Sequence, residues 1–277
     1  MKFCGVFLAA CLVACGVRGG VNDAGTDSGS GLTTDEQKTY DGGAPGANVI
    51  VSLAGAAEAM FNFDPTIIPS QSDTQNANFV ASYVLTELGA SADAGAKCGS
   101  VTLNGTTVTA SFGPAPGCTL PNGTTISGTI AVGISKSGST ITIAMTMTSA
   151  IVNNGPAMDG TVQLATTDGT TFTLSGNFTS GSTTYSSTGL TFTGSPGVIT
   201  IDGNFSVGGD TSTTYTFTTL TWKVGDCYPN GGSLAIKSGL ITMTVAFDST
   251  TPTTGNVLVT IGKKSVTEKL PVYGTCT

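Results

Sequence analysis

Between Asn122 and Met147 the chain reads NGTTISGTIAVGIS, KSGS, TITIAMTM, and apolar residues take every second position on both sides of a Gly/Ser break. Ile126, Ile130, Val132 and Ile134 alternate with small or polar residues before it; Ile141, Ile143, Met145 and Met147 do so after it. Successive side chains of a strand point to opposite faces, so this pattern specifies an antiparallel hairpin with one buried face. A helix would need a period near 3.6, which the stretch lacks.

The same alternation runs from Cys98 onward. Val101 and Leu103 lead into Asn104-Gly105, a two-residue turn signal, and Val108, Ala110 and Phe112 return. Asp168-Gly169 marks another turn. Tyr215 and Phe217 share one parity while Leu220, Trp222 and Val224 take the other, which predicts a bulge near Thr218–Thr219. A degenerate motif recurs as ISGTIAV at 126, MDGTVQL at 158, LSGNF at 174 and IDGNFSV at 201, with unequal spacing rather than a solenoid period. Its glycines, Gly128, Gly160, Gly176 and Gly203, fall among the apolar positions and are expected where the sheet bends. The expected fold is mainly β: a long antiparallel meander of about a dozen strands over 98–277, curled into a partial barrel or a sandwich because a flat one-faced sheet would expose its apolar side. One or two N-terminal helices are expected to pack on it.

Composition narrows the function classes. Only 10% of the 277 residues are charged, the net charge is −7, and there is no histidine. An acidic chain lacks the basic surface that binds phosphate backbones, so no nucleic-acid partner is expected. The commonest general base and neutral metal ligand is missing. Thr and Ser fill the polar strand positions, and Thr combines β propensity with a hydroxyl.

The first residues read MKFCGVFLAACLVAC. Lys2 precedes an apolar run, Phe3–Ala14, that has the length of a signal-peptide core and is too short to span a bilayer. Leu12-Val13-Ala14-Cys15 resembles the bacterial lipobox; Leu8-Ala9-Ala10-Cys11 also fits, but cutting there would leave a short apolar core. The resemblance implies cleavage after residue 14 and acylation of Cys15, giving a durable membrane anchor. The absence of Asp at Gly16 implies, by the same resemblance, the outer membrane of a Gram-negative cell, facing the periplasm or the cell surface. Residues 15–47 follow as a Gly/Asp/Ser/Thr-rich linker. Residues 48–97 form a helical subdomain: Ser72 and Gln75 make a capping box, and Ala77, Val80, Ala81, Val84, Leu85 and Leu88 recur at helical spacing up to Gly89. Asn48–Phe61 is a second, weaker helical stretch.

Beyond the signal peptide and Cys15, four cysteines remain: Cys98, Cys118, Cys227 and Cys276. An even number in an exported chain points to two disulfides, and Cys98–Cys118 with Cys227–Cys276 is the favoured connectivity of three. A Cys4 zinc site would need close Cys-x-x-Cys pairs, and none is present, so no metal or other cofactor is expected. No catalytic constellation emerges. Asp159 and Asp202, in matching repeat positions, could form a glycosidase-like carboxylate pair but read more simply as solvent-face residues. Trp222, Tyr228 and Tyr273 are aromatic candidates for a carbohydrate or partner surface, with core or rim placement the simpler alternative. Cys227–Leu234 and Leu270–Tyr273 resemble segments of uncharacterised lipoproteins of Gram-negative bacteria, a resemblance that carries no activity. The expected function is a non-enzymatic, lipid-anchored envelope lipoprotein with a structural or interaction role. The alternative is a carrier or sensor of a hydrophobic ligand beneath the helices.

Overall fold

Period-two alternation produces strands wherever the structure can be followed. The computed structural model describes residues 99–119, 125–195, 197–209, 212–223, 226 and 228–270. The signal peptide, Cys15, the linker, both helical stretches, and Cys98, Cys227 and Cys276 lie outside the described residues. In chain order the elements are β1 (Ser100–Asn104), β2 (Thr107–Ser111), β3 (Cys118–Thr119), β4 (Thr125–Ser137), β5 (Thr140–Val152), β6 (Met158–Thr166), β7 (Thr171–Ser180) and β8 (Thr183–Ser195). They continue with β9 (Val198–Gly208), β10 (Thr213–Lys223), β11 (Gly231–Ser238), β12 (Ile241–Phe247), the single-turn α1 (Thr251–Thr254), β13 (Asn256–Ile261) and β14 (Lys264–Lys269).

All fourteen strands belong to one antiparallel sheet in the order β1-β2-β4-β5-β6-β7-β8-β9-β10-β11-β12-β13-β14, with β3 beside β4. It is a meander, as the short Gly-containing turns imply. It is one continuous sheet and is not closed into a barrel: among the described residues β1 and β14 each pair on one side only.

Five hairpins close with a two-residue turn, Gly105-Thr106, Gly138-Ser139, Gly181-Ser182, Gly239-Leu240 and Gly262-Lys263, and their glycines stand at φ 59–61°. A glycine with positive φ in the first central position is the type II′ arrangement, whose twist matches that of the flanking strands. The first of these corrects the expected Asn104-Gly105 turn by one residue. Asn104 is already paired, with Thr107. An Asn-Gly turn would need positive φ at both residues, whereas here only the glycine takes it.

The inner face is continuous. Phe172, Leu190, Phe192, Ile201, Leu220, Leu234 and Ile236 are at most 1% exposed and belong to one core cluster that runs from Val108 on β2 to Ile261 on β13. Burial of each such side chain contributes roughly 1.5–3 kcal/mol. The outer face carries Thr, Ser, Asn and a few charges. One register row crosses it from Thr102 through Thr109, Thr146, Thr161, Asn177 and Ser186 to Thr214. Thr146 and Thr161 share a hydroxyl hydrogen bond of 2.9 Å, and Thr216 donates to Asn204 at 2.7 Å, so neighbouring strands are also tied at the surface.

The pairing is interrupted at five places. Register shifts occur at Ser127/Thr129, Met147/Ala150, Leu174/Ser175, Ser187/Thr191 and Phe217/Leu220. The expected bulge at Thr218–Thr219 is there, with Thr219 at φ 47°. Gly128, Gly160, Gly176 and Gly203 all lie at these shifts. They mark a stepped seam, one part over β4–β6 and the other over β7–β10 with the β6–β7 ladder unbroken between them, where bulges increase local twist.

Candidate functional site

The seam gathers the most specific polar chemistry among the described residues, and it is built twice. On β5, Ser149 stands at φ 48° and its amide donates to Asp159 Oδ1 of β6 at 2.8 Å. On β10, Thr219 stands at φ 47° and its amide donates to Asp202 Oδ1 of β9 at 2.5 Å. A non-glycine residue in the left-handed region costs roughly 1–2 kcal/mol, and its amide is turned out of the ladder. In both places the carboxylate supplies the missing acceptor.

The correspondence extends to the neighbouring strands. Gly128 of β4 lies against Ser149 as Gly232 of β11 lies against Thr219; a Cβ on either glycine would run into the bulge carbonyl. Gly160 follows Asp159 and Gly203 follows Asp202; a Cβ there would meet the backbone of Asn177–Phe178 or of Gly189–Leu190. Thr179 Oγ1 donates to the Asp159 carbonyl at 3.3 Å, and Thr191 Oγ1 to the Asp202 carbonyl at 3.1 Å. The equivalences map β4-β5-β6-β7 onto β11-β10-β9-β8. The sheet therefore carries a local two-fold between β7 and β8, with the strand order of one half reversed.

This geometry decides the fate of the two aspartates. They lie on β6 and β9, separated by β7 and β8, and they are also offset along the strands: Asp159 is in register with Thr179, Thr184 and Gly208, six residues from Asp202. They do not form a carboxylate pair, and each is engaged with a bulge amide. Sequence alternation alone did not reveal Ser149 or Ser187. Ser187, 7% exposed, donates to the Leu174 carbonyl at 2.7 Å and accepts the Leu190 amide at 3.2 Å, replacing ladder bonds lost where β8 bulges. Among the described residues, no three His, Cys, Asp or Glu side chains are grouped as metal ligands would be.

Beside the seam glycines on the inner face, Tyr185, Phe205, Val162 and Leu174 are only partly buried, next to buried Phe178. Phe178 and Tyr185 stack with ring centroids at 4.8 Å, and Phe205 lies 6.3 Å from Tyr185. Burial, and next the nearby Tyr185, push the Tyr215 phenol above its ordinary range.

The remaining aromatic candidates are structural. Trp222 is buried and donates Nε1–H to the Asp226 carbonyl at 2.7 Å. Tyr228 is buried over Gly255 at the end of α1, and its hydroxyl donates to the Leu270 carbonyl at 3.4 Å. Tyr273 lies outside the described residues. Two turn aspartates are also structural. The Thr171 amide, followed by that of Thr170, holds the Asp168 carboxyl below its ordinary range; the Thr250 hydroxyl and amide do the same for Asp248 at the start of α1. Cys118 sits at the core margin on β3 and is disulfide-bonded, with its partner cysteine outside the described residues.

The fold and its seam define the class of molecule: a single-sheet antiparallel meander stapled by paired Asp-bulge contacts. Compared with known proteins, the chain matches no family model, no curated protein and no solved structure.

Proposed function

We propose that the chain is a lipid-anchored lipoprotein of the bacterial envelope, held in the outer membrane through Cys15, whose β domain has a non-enzymatic structural or interaction role. One observation carries this reading. Asp159 and Asp202, read from the sequence as solvent-face residues with a carboxylate pair as the conceivable alternative, both serve backbone amides at bulges. The hydroxyl-covered outer face supports a solvated domain on a tether rather than one immersed in hydrocarbon, where the outer face would be an apolar band. The Cys98–Cys118 disulfide fits the register: Gly99, next to Cys98, lies against Ser111 and Phe112, and β3 continues along β4 from the place β2 occupies. The second disulfide of the proposal joins Cys227 to Cys276. The apolar stripe of residues 73–88 is assigned to packing on the sheet, which curls along the seam.

The anchor is tested by Cys15→Ala. The variant should be released from membranes and should not incorporate labelled lipid; continued labelling would move the anchor elsewhere. A second reading, a carrier or sensor of a hydrophobic ligand, is favoured by the partly buried Tyr185 and Phe205 rings on the inner face. Organic extraction of the purified protein followed by mass spectrometry separates the two. The structural reading expects no stoichiometric lipid, and a lipid released at one per chain would establish the carrier.

A further inference from the structure

The two edges of the open sheet are chemically unlike. The β14 edge carries Lys264, Glu268 and Lys269, with Lys263 in the adjoining turn. Charges on an edge strand oppose addition of another strand, because pairing must desolvate them. The β1 edge reads Ser-Val-Thr-Leu-Asn, has no charge and no proline, and pairs only with β2 among the described residues. Leu103 is one of four large apolar side chains that the described residues leave exposed, at 42%.

Backbone geometry shows what this edge offers. The turn Gly105-Thr106 makes Asn104 and Thr107 a hydrogen-bonded pair, so by alternation Thr102–Thr109 and Ser100–Ser111 are hydrogen-bonded too. Ser100, Thr102 and Asn104 therefore spend their amides and carbonyls on β2. Those of Val101 and Leu103 point away from the sheet.

We propose that β1 pairs antiparallel with β1 of a second copy of this chain, about a two-fold axis through Thr102. An isologous interface requires self-complementarity, and the five residues have it. The register sets Ser100 opposite the partner's Asn104, Val101 opposite the partner's Leu103, and Thr102 opposite the partner's Thr102. Val101 and Leu103 become the hydrogen-bonded pairs, which uses every outward amide and carbonyl between them. The same register keeps both apolar residues on the inner face, covers Leu103, and continues the hydroxyl row of the outer face into the second sheet. Moving the partner by one residue would set apolar against polar on both faces. Five residues per side make a small contact beside a stable dimer interface, so the association is concentration-dependent.

Cross-linking of the full chain tests the register. Thr102 faces itself in a non-hydrogen-bonded pair, where Cα atoms are about 4.5 Å apart, within disulfide range. Thr102→Cys should form a disulfide-linked dimer on mild oxidation, at least tenfold faster than Ser265→Cys on β14. Ser100→Cys and Asn104→Cys should link to each other when mixed and not to themselves. Leu103→Pro removes only an outward amide and leaves the β2 ladder intact. Added to Thr102→Cys, it should slow dimer formation at least tenfold. Equal rates for Thr102→Cys and Ser265→Cys would overturn the proposal, whether the edge stays solvated or is covered by residues before Cys98. An unchanged rate with Leu103→Pro, or self-linking of Ser100→Cys, would overturn it as well.

Discussion

The Asp202 carboxylate accepts the Thr219 amide at 2.5 Å, and Thr219 itself stands at φ 47° against the bare Cα of Gly232. The acceptor, the bulge and the glycine are interdependent. Without the carboxylate the turned-out amide has no partner on β9, and without the glycine the bulge carbonyl has no room.

Asp202→Ala should therefore destabilise the domain by about 1–3 kcal/mol, the range for orphaning a hydrogen-bonding group or losing a bond to a charged one. Asp159→Ala should cost a similar amount through Ser149. The two sites share no contact partner and are separated by two intervening strands and a six-residue offset along them, so their effects should add within about 0.5 kcal/mol. Urea unfolding of the two single variants and the double variant checks this. A double variant no worse than either single would mean that the two seams are not independent.

Two glycines of the seam separate strain from collision. Gly203 stands at φ 111° and a Cβ there would overlap the Gly189 carbonyl; Gly189 stands at φ 141° with open space around its own Cβ position. Gly189→Ala should cost about 1–3 kcal/mol from backbone strain alone. Gly203→Ala should cost measurably more, because β8 must also move. Denaturant midpoints of the two variants give the comparison, and equal losses would remove packing from the explanation.

The parity of apolar residues revealed the strands, their meander order and the Thr218–Thr219 bulge, since Phe217 and Leu220 differ in phase. The matching bulge at Thr148–Ser149 escaped. There the phase resumes on Ala150, a weak apolar signal, while Ile151 keeps the old parity although it sits on the outer face. The seam glycines were legible as interruptions of the buried face. Their carboxylate partners were visible only as a repeated Asp-Gly, with nothing to say that each reaches a bulge amide on the strand beside it. Single-turn α1 was not legible either. Thr251–Thr254 is too short for periodicity, and it is held by Asp248 and by the Thr251 hydroxyl, which donates to the Asn256 carbonyl.

Tyr215 gives an alkaline prediction. Its phenol is 4% exposed and its ionisation is pushed above the ordinary value of 10.0, chiefly by burial. A raised folded value means that Tyr215 favours folding below pH 10.0 and that this contribution is lost as the pH rises towards the folded value. Stability should fall on alkaline titration, and Tyr215→Phe should fall less steeply. The difference in phenolate absorbance between the two proteins should place the transition lost with Tyr215 above pH 10.0. Equal slopes in both proteins would remove the buried phenol as the cause.

Asp168 gives the acid counterpart. Its carboxylate accepts the Thr171 amide at 2.7 Å and the Thr170 amide at 2.8 Å, and its ionisation lies below the ordinary 3.8. Folding therefore favours the charged form. The contribution is fully present above pH 3.8 and is lost as the pH falls through the lower folded value. Asp248 works in the same direction at the start of α1. Asp168→Asn keeps a side-chain oxygen for the two amides and removes the titration. It should lower stability modestly at neutral pH, because a neutral acceptor binds the amides less strongly than a carboxylate. Its stability should then change less between neutral pH and acid than that of the unmodified protein, and Asp168→Asn with Asp248→Asn should be flatter still. Urea midpoints measured at neutral pH and again well below pH 3.8 decide the matter. If the unmodified protein and the double variant lost stability in parallel, the acid response would have to arise from carboxylates outside these two turns.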